Sequence, residues 1–573
     1  MNSWITQYDP QQYTVHGAGY ALHIAGHRVK VCLGGVEFAT LDVRCAAPQT
    51  LPDDTGAVPD PEPMLPTLDG VRESDGAAVF TWTGRSTLWV KTYTLTCTRL
   101  HFSFTVTLHG TGRVDEIRYF SGDTGSEQWG SDYDFAEGFT PCTSWYNAEK
   151  YTFHASEDCH RWSVLMVPPM FCYAFRCTDS ARSFGLGLVA QRGEHNFNAF
   201  DYRVHASKLR TGFCLTTDQS GHAAVNGTWT APAIYGFAGD DEWDILAQYR
   251  DVYVTEGIAP PVRTGKRPRF WYGPMVCGWI EQCAAAAAAG RPESSMATEP
   301  FYEDLIRRVY GANLHPQALI IDDKWQTQYA VDAPDPAKFP DLRAFIDRRH
   351  AEGVRTLLWF KLWDAEGWDG PTITGANGDV RYDPSSPAFL AHLDAVLHRL
   401  LSADAGCCNC DGFKLDFAFW MPIGRTVHAA SGKYGVELLY DLMHAIYTRA
   451  KAIKPDALIN ASPCHPYFAD VCDHGRLHDY DYKNRNNRAD MTMRARLYQA
   501  ALPGLLLDTD NAGFAAKRDT MHWLLAQSHV GVPDLYALRG GPHCDLNADD
   551  LAAVAENWAI YSRRIDAELR EMD

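Results

Sequence analysis

Two charges stand inside an apolar run. The stretch DGFKLDFAFW, residues 411 to 420, sets Lys414 and Asp416 two apart among Phe413, Leu415 and Phe417. Side chains alternate along a strand, so the three apolar residues share one face and the two charged residues share the other. A neighbouring ammonium favours the ionised form of a carboxyl group, and an ionised carboxylate in a dry pocket can act as a nucleophile. The competing reading is a buried Lys–Asp pair that only fixes the fold. Farther along, RLHDYD brings two more carboxylates, Asp479 and Asp481, shortly after Arg476 and beside His478.

The same habit recurs at other apolar runs. LIIDDKW ends on Asp322 and Asp323, LLWFKLW carries Lys361, and LLLDTD ends on Asp508 and Asp510. Buried charge is expensive unless it is paired or functional, so carboxylates at this many run ends point to a shared polar site. A parallel barrel places its chemistry at the C-terminal ends of its strands, which is where these residues fall.

The elements needed to position them are legible. After APPVRTGKRPRF, eight apolar runs alternate with amphipathic segments: FWYGPMVCGW, ALIIDDKW, TLLWFKLW, DGFKLDF, ALINAS, GRLHDY, GLLLDTD and PDLYAL. Strands alternating with helical segments predict a (β/α)8 TIM barrel over residues 265 to 573, with a doubly wound open sheet as the alternative. The poly-Ala run CAAAAAAAG after the first strand fits either a short helix or a loop over the mouth.

Residues 1 to 240 have a different texture. In RLHFSFTVTLHGTG, Leu100, Phe102, Phe104, Val106 and Leu108 fall on one face, the signature of a half-buried antiparallel strand. AAVFTWTG, STLWVKTYTLTC and SFGLGLVAQRG repeat it, so an N-terminal β-sandwich is expected, with the Pro-rich PDDTGAVPDPEPMLP as a surface loop. DEWDILAQYRDVYVTEG has helical spacing, with Trp243, Ile245, Leu246 and Tyr249 on one side, and predicts a helical linker over 241 to 264. The fold class is therefore a multidomain β plus α/β chain.

Composition narrows the partners. Across 573 residues, 52 Lys and Arg stand against 71 Asp and Glu, a net charge of −19 with no basic stripe, which argues against nucleic acid. The start, MNSWITQYDPQQYTVHGAGY, lacks a basic segment followed by an apolar one, and no apolar run is long enough to span a bilayer. These features predict a cytoplasmic chain with no membrane partner and reduced thiols among its 16 cysteines. Cys407, Cys408 and Cys410 form a C-x-C element without a second ligand pair, so neither a metal nor a cofactor is expected. The 17 Trp and 27 Tyr suit the apolar faces of sugars, although most such rings serve cores.

DGFKLDF resembles the nucleophile strand of the clan of retaining α-glycosidases containing glycoside hydrolase families 27, 31 and 36, most closely family 36, the α-galactosidase and raffinose-synthase group. IIDDKWQ resembles that family's Asp-Asp-Gly-Trp element. DAPDPAKFPDLRAFIDRRHAEGVRTLLWF resembles its Lys-Phe-Pro segment, and RYDPSSPAFLAHL the approach to its next helix. The resemblance covers about residues 265 to 540; over the sandwich it is architectural only. It implies a retaining α-glycoside hydrolase, α-galactosidase-like, with an oligosaccharide or α-glycoside as substrate. Asp416 would be the nucleophile that forms a glycosyl-aspartate, and Asp479 the general acid/base, with Asp481 as the alternative. Asp322, Asp323, Trp325 and Lys414 would hold the sugar, while Trp359, Lys361, Trp363 and Arg476 would line the pocket. Members of the family often form homo-oligomers, and nothing in this sequence marks an interface.

Two departures bear on the sugar. Lys324 replaces a glycine, and NASPCHPYFAD replaces a Gly-rich element, leaving Cys464 and His465 after the fifth strand. Lys324, Lys361, His465, His478 and Arg485 either recognise an acidic sugar, such as a uronate or sulfonated sugar, or pair with nearby aspartates. A transglycosylase on the same site, a catalytically dead sugar-binding barrel and a metal-dependent barrel hydrolase are the competing functions, the last lacking His pairs at ligand spacing.

Overall fold

In the computed structural model of the chain, the described residues are 4–74, 76–124, 129–141, 151–160, 167–177, 181–207, 210–261, 265–478, 487–510, 517–536, 538 and 546–572. Alternation governs the N-terminal half. Strands Ala77–Arg85, Val90–Cys97 and Phe102–Tyr119 run antiparallel in sequence order, and Tyr93 sits opposite both Trp82 and Val106. They belong to an assembly of nineteen described antiparallel strands between Ile5 and Gly239. Phe102, Phe104, Val106 and Leu108 are buried as expected, but Leu100 is 66 % exposed. It lies in a turn rather than in the strand, because Thr98 Oγ1 accepts the Leu100 and His101 N–H groups and reverses the chain there.

The Pro-rich segment is more than a surface loop. Met64 and Leu65 are exposed, yet Asp60 and Glu62 are buried against the Lys91 ammonium at 2.6 and 3.0 Å. Tyr93 donates to Glu62 at 2.5 Å, so a buried ionic cluster pins this segment to the sheet.

Helix α1, Glu242–Thr255, is capped by Asp241 and buries Ile245, Leu246, Tyr249, Val252 and Tyr253. Gly185 and Gly187 make that close approach possible: a Cβ on either would lie 2.1 Å from Ile245 Cγ2 or 2.5 Å from the Tyr249 ring. The helix also meets the C-terminal half, where Tyr249 Oη bonds His465 Nε2 at 2.9 Å.

Eight parallel strands follow: β1 Met275–Cys277, β2 Ala318–Ile321, β3 Arg355–Lys361, β4 Gly412–Asp416, β5 Leu458–Ala461, β6 His474–Arg476, β7 Leu506–Asp508 and β8 Asp534–Leu535. They pair in sequence order, and β8 pairs with β1. The barrel nearly closes, the seam between β7 and β8 being held by a bridge from Asp508 to Val532. Six of the eight lie within the runs read from the sequence, and β3 and β6 each begin one residue before theirs. The poly-Ala run becomes a helix, Trp279–Ala289, because Ala is the best helix former, and it ends where Gly290 turns left-handed. No helix among the described residues is long and apolar enough to cross a membrane.

Candidate active site

The barrel interior is polar at the C-terminal ends of its strands. Parity sends Trp359, Lys361, Lys414 and Asp416 to a common side, and the register sets Trp359 beside Lys414 and Lys361 beside Asp416. Cys277, Asp322, Asn460, Arg476, Asp508 and Asp534 come from the other strands or their immediate ends, and all are buried.

Asp416 is the best-held group. Its Oδ1 accepts the Phe417 N–H at 2.8 Å and Arg476 Nη2 at 2.9 Å, its Oδ2 accepts Trp359 Nε1 at 3.1 Å, and His478 Nε2 lies 3.6 Å away. Burial alone would raise its pKa, but Arg476, His478 and Lys414 outweigh burial and hold it well below the usual carboxylate range. Asp416 is therefore ionised, and at 9 % exposure it still reaches the mouth. The expected Lys414–Asp416 contact is corrected here: the Lys414 ammonium pairs with Asp322 at 2.8 Å and acts on Asp416 only through its field. Asp322 also accepts the Cys277 thiol at 3.0 Å, and burial keeps that thiol protonated.

Five residues just past strand ends have left-handed backbone: Lys324 (φ 74°), Trp363 (φ 72°), Phe417 (φ 64°), His478 (φ 68°) and Asp510 (φ 45°). Such conformations cost on the order of 1 kcal/mol or more for bulky residues and collect at functional sites. Two of them turn their own N–H back onto a carboxylate, Phe417 onto Asp416 at 2.8 Å and Asp510 onto Asp508 at 2.9 Å; the N–H of Asp323, just before Lys324, bonds Asp322 at 2.8 Å.

The remaining candidates divide by place. Asp323, at the rim, accepts the Tyr329 hydroxyl at 2.9 Å, and burial beside Asp322 pushes it up to about 6. Lys324 pairs with Glu366 and lies over the Tyr329 ring, while Lys361 pairs with Asp364 at 2.8 Å among the rings of Tyr329, Phe417 and Trp420. Trp325 and Trp363 are fully buried; Trp325 donates to the Trp359 carbonyl and Trp363 stacks on Tyr382. Cys464 and His465 are not brought to the mouth. The Cys464 N–H bonds Pro168 O and the His465 ring bonds Tyr249, which places both at the junction with the sandwich. Asp479, Asp481 and Arg485 lie outside the described residues.

Sequence reasoning missed Asn460, Asp534, Tyr536 and Cys277. Strand β8 is so short that its inward carboxylate, Asp534, precedes the apolar run and reads as a strand start. A cysteine in MVCGW reads as core. Among the described residues, no group of three or more His, Cys, Asp or Glu is arranged to hold a metal ion.

No protein-family profile and no curated protein matches the chain. Solved structures do. The chain is similar to a GH31 family sulfoquinovosidase from E. rectale, with TM-score 0.61 at 10 % identity over 99 % of this chain and 84 % of that one. It is similar to an α-galactosidase from Thermus thermophilus, with TM-score 0.51 at 14 % identity over 93 % and 99 %. A GH36 α-galactosidase from Geobacillus stearothermophilus gives TM-score 0.53 at 10 % identity over 97 % and 86 %. The chain has the fold of the glycosidase clan that includes GH31 and GH36.

Proposed function

We propose that the chain is a retaining α-glycoside hydrolase in which Asp416 is the nucleophile. The observation that carries this reading is the state of Asp416: ionised, fixed by three donors and placed at the C-terminal end of β4 beside a polar barrel mouth. The likeness to α-glycosidase folds supports it.

Asp416 attacks the anomeric carbon as the glycosidic bond breaks, and the leaving oxygen takes a proton from the acid/base, assigned to Asp479 from the order of its motif. Water, deprotonated by the same group, then releases the sugar with its configuration retained. Arg476 and the Phe417 N–H hold Oδ1, so Oδ2 is the oxygen left to attack once the Trp359 hydrogen bond yields. Lys414 and Asp322, paired at 2.8 Å, offer a donor and an acceptor to sugar hydroxyls.

The test is a panel of aryl α- and β-glycosides, with NMR of the first-formed anomer. The expected result is α-selective turnover releasing the α-anomer, lost by at least about a hundredfold in Asp416→Asn and Asp479→Asn. Full activity in Asp416→Asn removes the nucleophile assignment. An added sugar acceptor distinguishes hydrolysis from transglycosylation by its products.

A further inference from the structure

The end of β6 is held from outside the barrel. On the helix Asn487–Ala501, Asp490, Arg494 and Tyr498 stand four residues apart and so share one face, and each is at most 4 % exposed. Two of them meet three successive carbonyls where β6 stops. Tyr498 donates to Arg476 O at 2.8 Å, and Arg494 Nη1 donates to Leu477 O at 3.1 Å and to His478 O at 3.2 Å. The last of these carbonyls belongs to the peptide bond that joins His478 to Asp479.

The backbone held in this way is strained and carries two side chains of the site. His478 is left-handed at φ 68°, a conformation that persists in a bulky residue only where the surroundings impose it. Its Nε2 lies 3.6 Å from Asp416 Oδ1, and Arg476 Nη2 donates to the same oxygen at 2.9 Å.

Arg494 is fixed in turn by the sandwich. It pairs with Asp490 Oδ2 at 2.8 Å, and Asp490 Oδ1 accepts the Tyr151 hydroxyl at 2.8 Å. Burial and Asp490 push the Tyr151 phenol up, so it keeps its proton and donates. Tyr151 belongs to the N-terminal half, where its carbonyl accepts the Thr140 N–H at 2.8 Å and its ring stacks on Phe139 of the strand Phe135–Phe139. Desolvation offsets most of the attraction within a buried ion pair, so the Asp490–Arg494 pair is better explained by what it orients than by the stability it adds.

We propose that Tyr151, Asp490 and Arg494 form a positioning chain through which the sandwich sets the end of β6, so that Arg476 and His478 meet Asp416 in the geometry its attack needs. The three act through Arg476 and His478 and are positioning residues. The inference rests on the reading of Asp416 as nucleophile and adds that the first half of the chain is part of the catalytic machinery.

The test measures kcat and KM for whichever of aryl α-glucoside and aryl α-galactoside turns over faster, with hydrogen exchange across residues 474–478 and urea unfolding on the same preparations of wild type, Tyr151→Phe, Arg494→Lys and Arg494→Met. Arg494→Met should lower kcat about a hundredfold with little change in KM, the scale of a misplaced reacting group. Arg494→Lys keeps the charge but loses the planar fork, and should recover about tenfold of that loss. Tyr151→Phe removes a single hydroxyl and should lower kcat about fivefold, with exchange quickened at 474–478 more than in the other barrel strands. If Arg494→Met does not fold, Tyr151→Phe decides. Wild-type kcat in Tyr151→Phe overturns the proposal, as does a loss accompanied by uniformly faster exchange and lowered unfolding stability, the mark of a purely structural role. Absence of turnover by the wild type, or full activity in Asp416→Asn, overturns the nucleophile reading instead. In that case quickened exchange confined to 474–478 in Tyr151→Phe still supports the chain from sandwich to β6, and unchanged exchange overturns it.

Discussion

Two buried charge clusters sit in this chain, one in each half, and they are built from the same residue types. In the sandwich, Lys91 bridges Asp60 and Glu62 and also donates to Cys45 O at 2.6 Å, while Arg44 makes a two-pronged pair with Asp42. Asp60 further accepts the Ala47 N–H at 2.7 Å, and Glu62 the Tyr93 hydroxyl. Each of these groups is tied to the backbone or to a packed ring, and the product is a pinned loop. In the barrel, the carboxylates gather at strand ends where five residues take left-handed backbone, and among the described residues Asp534 has no ion pair and the Tyr536 hydroxyl no hydrogen-bond partner. Buried charge by itself marks neither structure nor function. Strained backbone at strand ends marks a site; carboxylates tied to a cation, to backbone N–H groups and to a packed ring mark a fold.

The largest effect that sharpens this contrast is on catalysis. Asp416→Asn should cost at least about a hundredfold in kcat/KM while the thermal unfolding midpoint stays within a few degrees, read by turnover and calorimetry on the same preparation. The sandwich should behave in the opposite way. Lys91→Met strands two buried carboxylates and should destabilise the N-terminal half by about 3–5 kcal/mol in urea unfolding, with activity per folded molecule unchanged. An Lys91→Met protein of normal stability would erase the distinction drawn between the clusters.

A smaller effect concerns pH. Asp323 is pushed up to about 6 by burial and by Asp322, so it protonates as pH falls through that value. Its ionised form is the one that accepts sugar hydroxyls, so kcat/KM should fall on the acid side of about pH 6, and Asp323→Asn should flatten that limb while lowering the plateau. For stability the sign is reversed. A carboxyl group whose folded pKa is raised costs stability above its unfolded value near 3.9, and that cost disappears as pH falls toward it.

The smallest effect follows from the same sign. Burial and the neighbouring Asp508 and Asp510 raise Asp534 well above its ordinary value, so its ionisation is a liability in the folded chain at neutral pH. Asp534→Asn should raise the unfolding midpoint at pH 7 by about 1–2 °C, a gain that shrinks near pH 4 where the unfolded carboxyl is also protonated. A lower midpoint at pH 7 would show that the carboxylate is matched by a cation after all.

Much of the scaffold could be read from the chain because its determinants are local. Alternation in FSFTVTL, helical spacing in DILAQYRDVY and charges at run ends in LIIDD and FKLD each follow from the periodicity of one element. The partners could not be read, because they are set between elements distant in sequence. Lys414 lies two residues from Asp416 yet pairs with Asp322 from β2, and the cation on Asp416 is Arg476 from β6. His465, at a strand end like the site residues, is drawn away by Tyr249 of α1 into the junction with the sandwich.

The sequence by itself determined that Asp416 and Lys414 face one side of a strand, that eight such strands alternate with helices, and that a sandwich precedes them. Those follow from the two-residue repeat of a strand and the 3.6-residue repeat of a helix. Only the tertiary structure decided which cation each carboxylate meets, that Asp534 and Tyr536 complete the interior, and that Asp60 and Glu62 are buried. Closing a barrel or stacking a sheet sets distances between residues hundreds of positions apart, and electrostatics depends on those distances rather than on order along the chain.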